Sequence, residues 1–185
     1  MLSALAAHIT KEPHEMKLLI ALFFSLCLFV SSTLGQQAEI DAYCQKIDST
    51  IAAATNIGEF IITHRSDSDT TRLYDRFFID TVNLVLLKSI YDANYYAKEY
   101  IVFYYRDTQL VRIKAHHQLG DKKYAGIFYY QQGNLITVSN VSGMTGSNVF
   151  DISELERTGT QYLQNSSGIF NIIKKNRHLE VNRRR

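Results

Sequence analysis

One stretch, repeated, constrains this chain more than any other feature. EYIVFYYRDTQLVRIKAHH runs from Glu99 to His117, and YAGIFYYQQGNLITVSN from Tyr124 to Asn140. Both contain Phe-Tyr-Tyr, four polar or small residues, then Leu, an aliphatic residue and a polar one. Tyr105 and Tyr130 lie 25 positions apart, as do Leu110 and Leu135. A constant offset in both halves of a unit is the mark of a duplicated supersecondary element. Arg106-Asp107-Thr108-Gln109 and Gln131-Gln132-Gly133-Asn134 interrupt runs of Tyr, Phe, Ile and Val. Asp, Gly and Asn tolerate turn dihedrals, and the flanking residues favour strands, so each copy reads as a β-hairpin. An earlier copy aligns over Arg72 to Lys88. There Phe77-Phe78 stands for the Tyr pair, Ile79 to Asn83 for the turn and Leu84-Val85-Leu86 for the second strand. Three hairpins predict about six antiparallel strands.

Alternation assigns the faces. With the turn centred on Asp107-Thr108, Tyr104 is expected to pair with Val111, Val102 with Ile113, and Tyr100 with Ala115. With the next turn at Gln132-Gly133, Tyr129 is expected to face Ile136, and Ile127 to face Val138. These residues make one apolar face. The opposite face then carries Ile101, Phe103, Tyr105, Phe128 and Tyr130 beside Leu110, Arg112, Lys114, Leu135 and Thr137. A slip of one residue would exchange the faces. The candidate binding residues on this reading are Phe103, Tyr105, Arg112, Lys114, Phe128 and Tyr130. Exposed aromatics offer large contact area at small entropy cost. The structural alternative is a stripe of half-buried tyrosines screened by Arg and Lys stems.

The N-terminus reads as an export signal. Leu18 to Val30 is a 13-residue apolar run, short for a membrane span. Lys17 precedes it, and Ser31, Ser32, Thr33 and Gly35 follow as small residues near a cleavage site after Gly35. Met16 fits the start of such a signal better than Met1, because Glu12 and Glu15 offset Lys11. An uncleaved anchor helix is the other reading. A lipid anchor at Cys27 is disfavoured by Leu26 in front of it. The chain is expected to be exported, to a periplasmic or extracellular space.

Removing residues 1–35 from 185 leaves 150, one domain with enough chain to bury a core. Cys44 is then the sole cysteine, so packing rather than a disulfide must hold the fold. Residues 36–173 hold 12 Lys/Arg against 15 Asp/Glu, whereas 174–185 hold six Lys/Arg against Glu180. A slightly acidic body excludes a nucleic-acid-binding surface. The basic end, residues 176–185, reads as a disordered tail, and weak contact with anionic membrane surface is its functional reading.

Gln37 to Thr55 has apolar residues at Ile40, Tyr43, Cys44, Ile47 and Ile51, the stripe of an amphipathic helix stopped by Asn56 and Gly58. Cys44 lies in that stripe and reads as a buried small hydrophobe. Glu59 to Thr63 reads as a strand. Asp67 and Asp69 resemble a calcium loop only in alternating with serines, without its glycine or closing glutamate. Asp151, three residues before Glu154, begins a helix. Asn165-Ser166-Ser167-Gly168 is expected to break it, with Ile169 to Ile173 forming another. The fold class is therefore α+β: an N-terminal helix, an antiparallel meander of about five to seven strands, and C-terminal helices, in one domain over 36–175.

Catalytic signatures are sparse. His64, His116, His117 and His178 show no metal-ligand spacing, and adjacent strand histidines point to opposite faces. No nucleophile elbow, Walker loop or dinucleotide glycine pattern occurs. No cofactor or metal is implied. The leading reading is a non-enzymatic binding or inhibitory module whose partner is a protein or an envelope component. The alternatives are a small exported hydrolase with a site assembled from distant residues, and a self-associating envelope protein.

The two-aromatics, short-turn, Leu-Val-x-Ile string resembles secreted bacterial proteins of unassigned function with tandem Tyr-Tyr hairpins between an N-terminal and a closing helix. It is more distantly similar to MORN-type repeats, whose regular glycines it lacks. Neither resemblance implies catalytic residues here.

Overall fold

A computed structural model describes residues 35–65, 72–92, 99–142 and 150–183. The export signal, the Asp67/Asp69 loop and most of the small-residue loop after Ser142 lie outside the described residues. The chain divides into Met1–Glu39 and Ile40–Arg185. Of the first unit, 35–39 are described and helical. The second opens with helix α1, residues 40–53, and continues through seven strands to one long helix.

The strands are β1 Ile57–Arg65, β2 Arg72–Asp80, β3 Val85–Asp92, β4 Tyr100–Arg106, β5 Gln109–Leu119, β6 Lys122–Gln131 and β7 Asn134–Ser142. They form one antiparallel sheet in sequence order, an α+β meander. Both duplicated turns fall where the sequence places them. Asp107 and Thr108 have φ of 50° and 63°, and Gln132 and Gly133 have 52° and 80°. Two successive positive φ values are the signature of the type I′ turn, whose twist matches that of paired strands. Gly120 (φ 59°) opens the β5–β6 turn.

The register carries a feature that alternation alone misses. Tyr105 pairs with Leu110, but Tyr104 pairs with Arg112, leaving Val111 as an extra residue. Tyr130 pairs with Leu135 and Tyr129 with Thr137, leaving Ile136. Ile79 pairs with Leu86 and Phe78 with Lys88, leaving Leu87. All three hairpins thus hold a one-residue bulge in their second strand, directly after the second residue pair from the turn. The earliest copy also shifts by one: Phe78-Ile79, not Phe77-Phe78, is the equivalent of the Tyr pair, and its turn is Thr81–Leu84. Asp80 shapes that turn by accepting from the Val82 and Asn83 amides at 2.8 and 3.0 Å.

The bulge corrects the face assignment. Beyond Val111, Arg112 and Lys114 pair with Tyr104 and Val102, while Ile113 and Ala115 pair with Phe103 and Ile101. Arg112 and Lys114 therefore share a face with Tyr104, opposite Phe103 and Tyr105. In the next hairpin Val138 pairs with Phe128.

Each face has its own helix. Ile40, Cys44 and Ile47 of α1 pack on Phe78, Ile90, Val102, Tyr104 and Tyr129. The other face, with Phe77, Phe103, Tyr105, Ile113, Phe128 and Tyr130, is covered by α2, Ile152–Arg183. Asp151 caps α2 by accepting from the Glu154 amide at 3.1 Å. Contrary to the two helices expected from the sequence, α2 runs unbroken through Asn165-Ser166-Ser167-Gly168 and on to Arg183, beyond the boundary drawn at residue 175. The Ser166 and Ser167 hydroxyls donate to the carbonyls of Leu163 and Gln164 one turn back, so their polar groups bond within the helix. Among the described side chains of α2, Leu155, Gly159, Tyr162, Ser166, Ile169 and Ile173 are buried and recur at alternating spacings of four and three. Its two small members seat the helix close to the sheet: a Cβ on Gly159 would lie 2.9 Å from Phe103 Cδ1.

Candidate functional site

The six residues proposed from the sequence do not form one surface. Phe103 and Tyr105 are fully buried, and Phe128 and Tyr130 are 2% exposed, all under α2. Covering them removes their large apolar area from water, worth about 1.5–3 kcal/mol per side chain, so they are core. Arg112 and Lys114 lie on the α1 face. The Arg112 guanidinium donates to Asp41 at 2.7 Å and lies 4.4 Å over the Tyr104 ring. Lys114 is exposed.

The α1 face is knit by polar ties that flank its apolar stripe. Asp41 accepts from Arg112 and from the Tyr129 phenol, at 3.1 Å to each carboxylate oxygen. Asp48, seven residues on, accepts from the Tyr104 phenol at 2.9 Å and from Lys88 at 2.7 Å. Cys44 lies between them, fully buried and unoxidised. Burial pushes its thiol up to about 12. These groups are consumed in docking the helix.

Among the described residues, two openings lie beside α2. The larger, about 570 Å³, lies between the first four turns of α2 and strands β2 to β4. Asp75 of β2, Glu99 before β4, and Asp151 and Glu154 at the start of α2 line it, together with Tyr91, Phe150 and Tyr162. Asp75 is buried and accepts from the Tyr162 phenol. The Tyr162 ring meets Phe77 and Phe103 edge-on, at 5.3 and 5.5 Å between centroids. Burial raises the Tyr91 phenol, and the charges of Glu99, Asp75 and Glu154 add to that shift. The three carboxylates therefore bear on one point of the cleft. No lysine, arginine or histidine is among the described residues that line it.

The smaller opening, about 290 Å³, lies at the other end of the sheet. It is bounded by the two type I′ turns, by Glu156, Thr160 and Leu163 of α2, and by Tyr105 and Tyr130. The Tyr105 phenol donates to the Gly159 carbonyl at 3.0 Å. The Ser89 hydroxyl, 2.9 Å away, must then be the donor to Tyr105. Tyr130 differs from Tyr105: its hydroxyl is buried beside the Glu156 carboxylate. Burial raises its phenol, and the Glu156 carboxylate raises it further.

His116 and His117 point to opposite faces, paired with Tyr100 and Tyr124, and neither lines a cleft described here. Among the described residues no group of three or more His, Cys, Asp or Glu is arranged to hold a metal ion, and no helix is long and apolar enough to cross a membrane. The sequence reading missed Asp75, Tyr91, Glu154 and Tyr162. Tyr162 carried a signal, because it belongs to the buried stripe of α2. No protein-family model, curated protein or solved structure matches the chain.

Proposed function

We propose that this chain is an exported binding module that holds a positively charged segment of a protein or envelope partner in the larger cleft between α2 and the sheet. The observation that carries this reading is the composition of the 570 Å³ cleft: four carboxylates and three aromatic rings, without a cation among the described residues that line it. Ligand sites of this size range are typically apolar-walled with a few convergent polar groups. Aromatic walls with carboxylates at their rim suit an ammonium or guanidinium, through charge and through the ring faces. Of the sheet face read from the sequence, Ile101 lines this cleft, and none of the six candidate residues does.

A fluorescein-labelled tetralysine peptide tests the cleft. Saturable, salt-weakened binding to the wild type is expected, with a loss of at least tenfold in Glu99→Lys and in Thr158→Trp, which fills the cleft. Binding unchanged in both variants overturns the assignment. Export is tested separately by N-terminal sequencing of the protein from its native cells: a mature chain beginning near Gln36 supports it, and one retaining the Leu18 to Val30 segment counts against it.

A further inference from the structure

We propose that the outer edge of β1 pairs with β1 of a second copy of this chain, antiparallel and about a two-fold axis through Ile61, joining two seven-stranded sheets into one. No described β1 residue lines the larger cleft, so the two assignments stand separately. The direction of the β1 backbone groups sets the pairing. The Thr81 amide donates to the Asn56 carbonyl at 2.9 Å, one pair before Ile57–Asp80, so Asn56–Thr81 is a hydrogen-bonded pair. Bonded and non-bonded pairs alternate along an antiparallel ladder. Gly58, Phe60, Ile62 and His64 therefore bond inward to β2, and Ile57, Glu59, Ile61, Thr63 and Arg65 turn their N–H and C=O outward. Among the described residues no further strand takes them up.

Edge strands are normally blunted by proline, lysine, a bulge or short length. β7, the other edge, follows that rule, its ladder with β6 shifting register twice. β1 does not. It keeps one register with β2 along all 9 of its residues, contains no proline or lysine, and exposes apolar side chains at its centre, Ile61 at 57% and Ile62 at 38%. Self-complementarity names the occupant. With Ile61 opposite Ile61 of the second copy, Phe60 comes opposite Ile62 on both sides of the axis, and Glu59 comes opposite Thr63. Ile61 shares the face of Ile57, which packs toward α1, and Ile62 that of Phe60, which packs toward α2. Apolar pairs thus form on both faces of the join, and the one carboxylate of β1 meets a hydroxyl rather than its own copy. Such an isologous pairing closes as a dimer, because it uses the same edge of each copy.

Sedimentation velocity of the full chain over a concentration series is expected to show a monomer–dimer equilibrium. Ile61→Lys, which sets two ammonium groups against each other at the axis, should raise the dimer dissociation constant at least tenfold. Ile61→Pro should do the same, since it removes an outward N–H and leaves the bonds to β2 in place. Circular dichroism checks that both variants are folded, and should Ile61→Pro not fold, Ile61→Lys decides. Val138→Lys, on the β7 edge where Val138 is 40% exposed, should leave the constant unchanged. Under mild oxidation Ile61→Cys should give a disulfide-linked dimer, because the two residues of a hydrogen-bonded pair lie about 5.5 Å apart at Cα, within disulfide reach. Ile62→Cys, whose opposite residue is Phe60, should link at least tenfold more slowly. A monomer at every concentration, a dimer unaffected by Ile61→Lys, a dimer dissociated by Val138→Lys, or faster linking through Ile62→Cys would each overturn the proposal.

Discussion

The Tyr105 phenol donates across the core to the backbone carbonyl of Gly159, 3.0 Å away, which ties the central strand β4 to the N-terminal part of α2. The bond forms because the helix approaches closely there. A Cβ on Gly159 would meet Phe103 at 2.9 Å and both Leu110 methyls at 3.2 and 3.3 Å. Gly159→Ala should therefore destabilise the protein by about 1–2 kcal/mol, overpacking outweighing the gain in helix propensity. Gly168, on the same helix, has nothing within 4 Å of its would-be Cβ. Gly168→Ala should stabilise by about 0.5–1 kcal/mol. Urea unfolding of the two variants checks the opposite signs.

The ion pair under α1 is unequal in its two halves. The Arg112 side chain is 11% exposed and that of Asp41 is 35%. Asp41→Ala removes the acceptor of both Arg112 and Tyr129 and leaves a mostly buried guanidinium uncompensated, at an expected cost of about 2–3 kcal/mol. Adding Arg112→Met to that variant should recover part of the loss. A double-mutant cycle by chemical denaturation measures it, and a double variant no more stable than Asp41→Ala would refute the account.

Cys44 should respond to alkaline pH. Burial lifts its folded-state pKa from the ordinary 9.0 to about 12. Below pH 9 the thiol is protonated in both states and costs nothing. Between pH 9 and about 12 the unfolded thiol ionises while the folded one keeps its proton, so stability falls as pH rises. The slope from this group is at most about 1.4 kcal/mol per pH unit. Wild type should lose stability more steeply than Cys44→Ala over that window. A thiol reagent at pH 8 should react only at the rate of unfolding, and prompt reaction with the native protein would contradict the burial.

At the turn of the β4–β5 hairpin, Thr108 holds φ 63°, a region that β-branched residues rarely adopt, where the corresponding residue of the β6–β7 turn is Gly133 at 80°. Thr108→Gly should raise stability by about 1 kcal/mol, and Gly133→Thr should lower it by a similar or larger amount. Thermal melts of the pair read both directions.

What the sequence by itself determined is local. Turn chemistry and strand propensity place Asp107-Thr108 and Gln132-Gly133 at hairpin tips, and fix the pairs Tyr105–Leu110 and Tyr130–Leu135 beside them. The stripe of Ile40, Cys44 and Ile47 makes a helix with Cys44 buried. The tertiary structure decided everything that depends on counting past those tips. A single extra residue at Val111 moves Arg112 and Lys114 to the opposite face, and side-chain alternation has no memory that survives a bulge. The break read at Asn165 to Gly168 did not occur, because packing of the buried stripe on the sheet, Ser166 included, outweighs weak local propensity, and exposed Gly168 is carried along in the helix. That both aromatic faces are covered was likewise beyond local pattern. Phe103 and Tyr130 look alike to solvent and to a core, and only the path of α2 over the sheet makes both of them core.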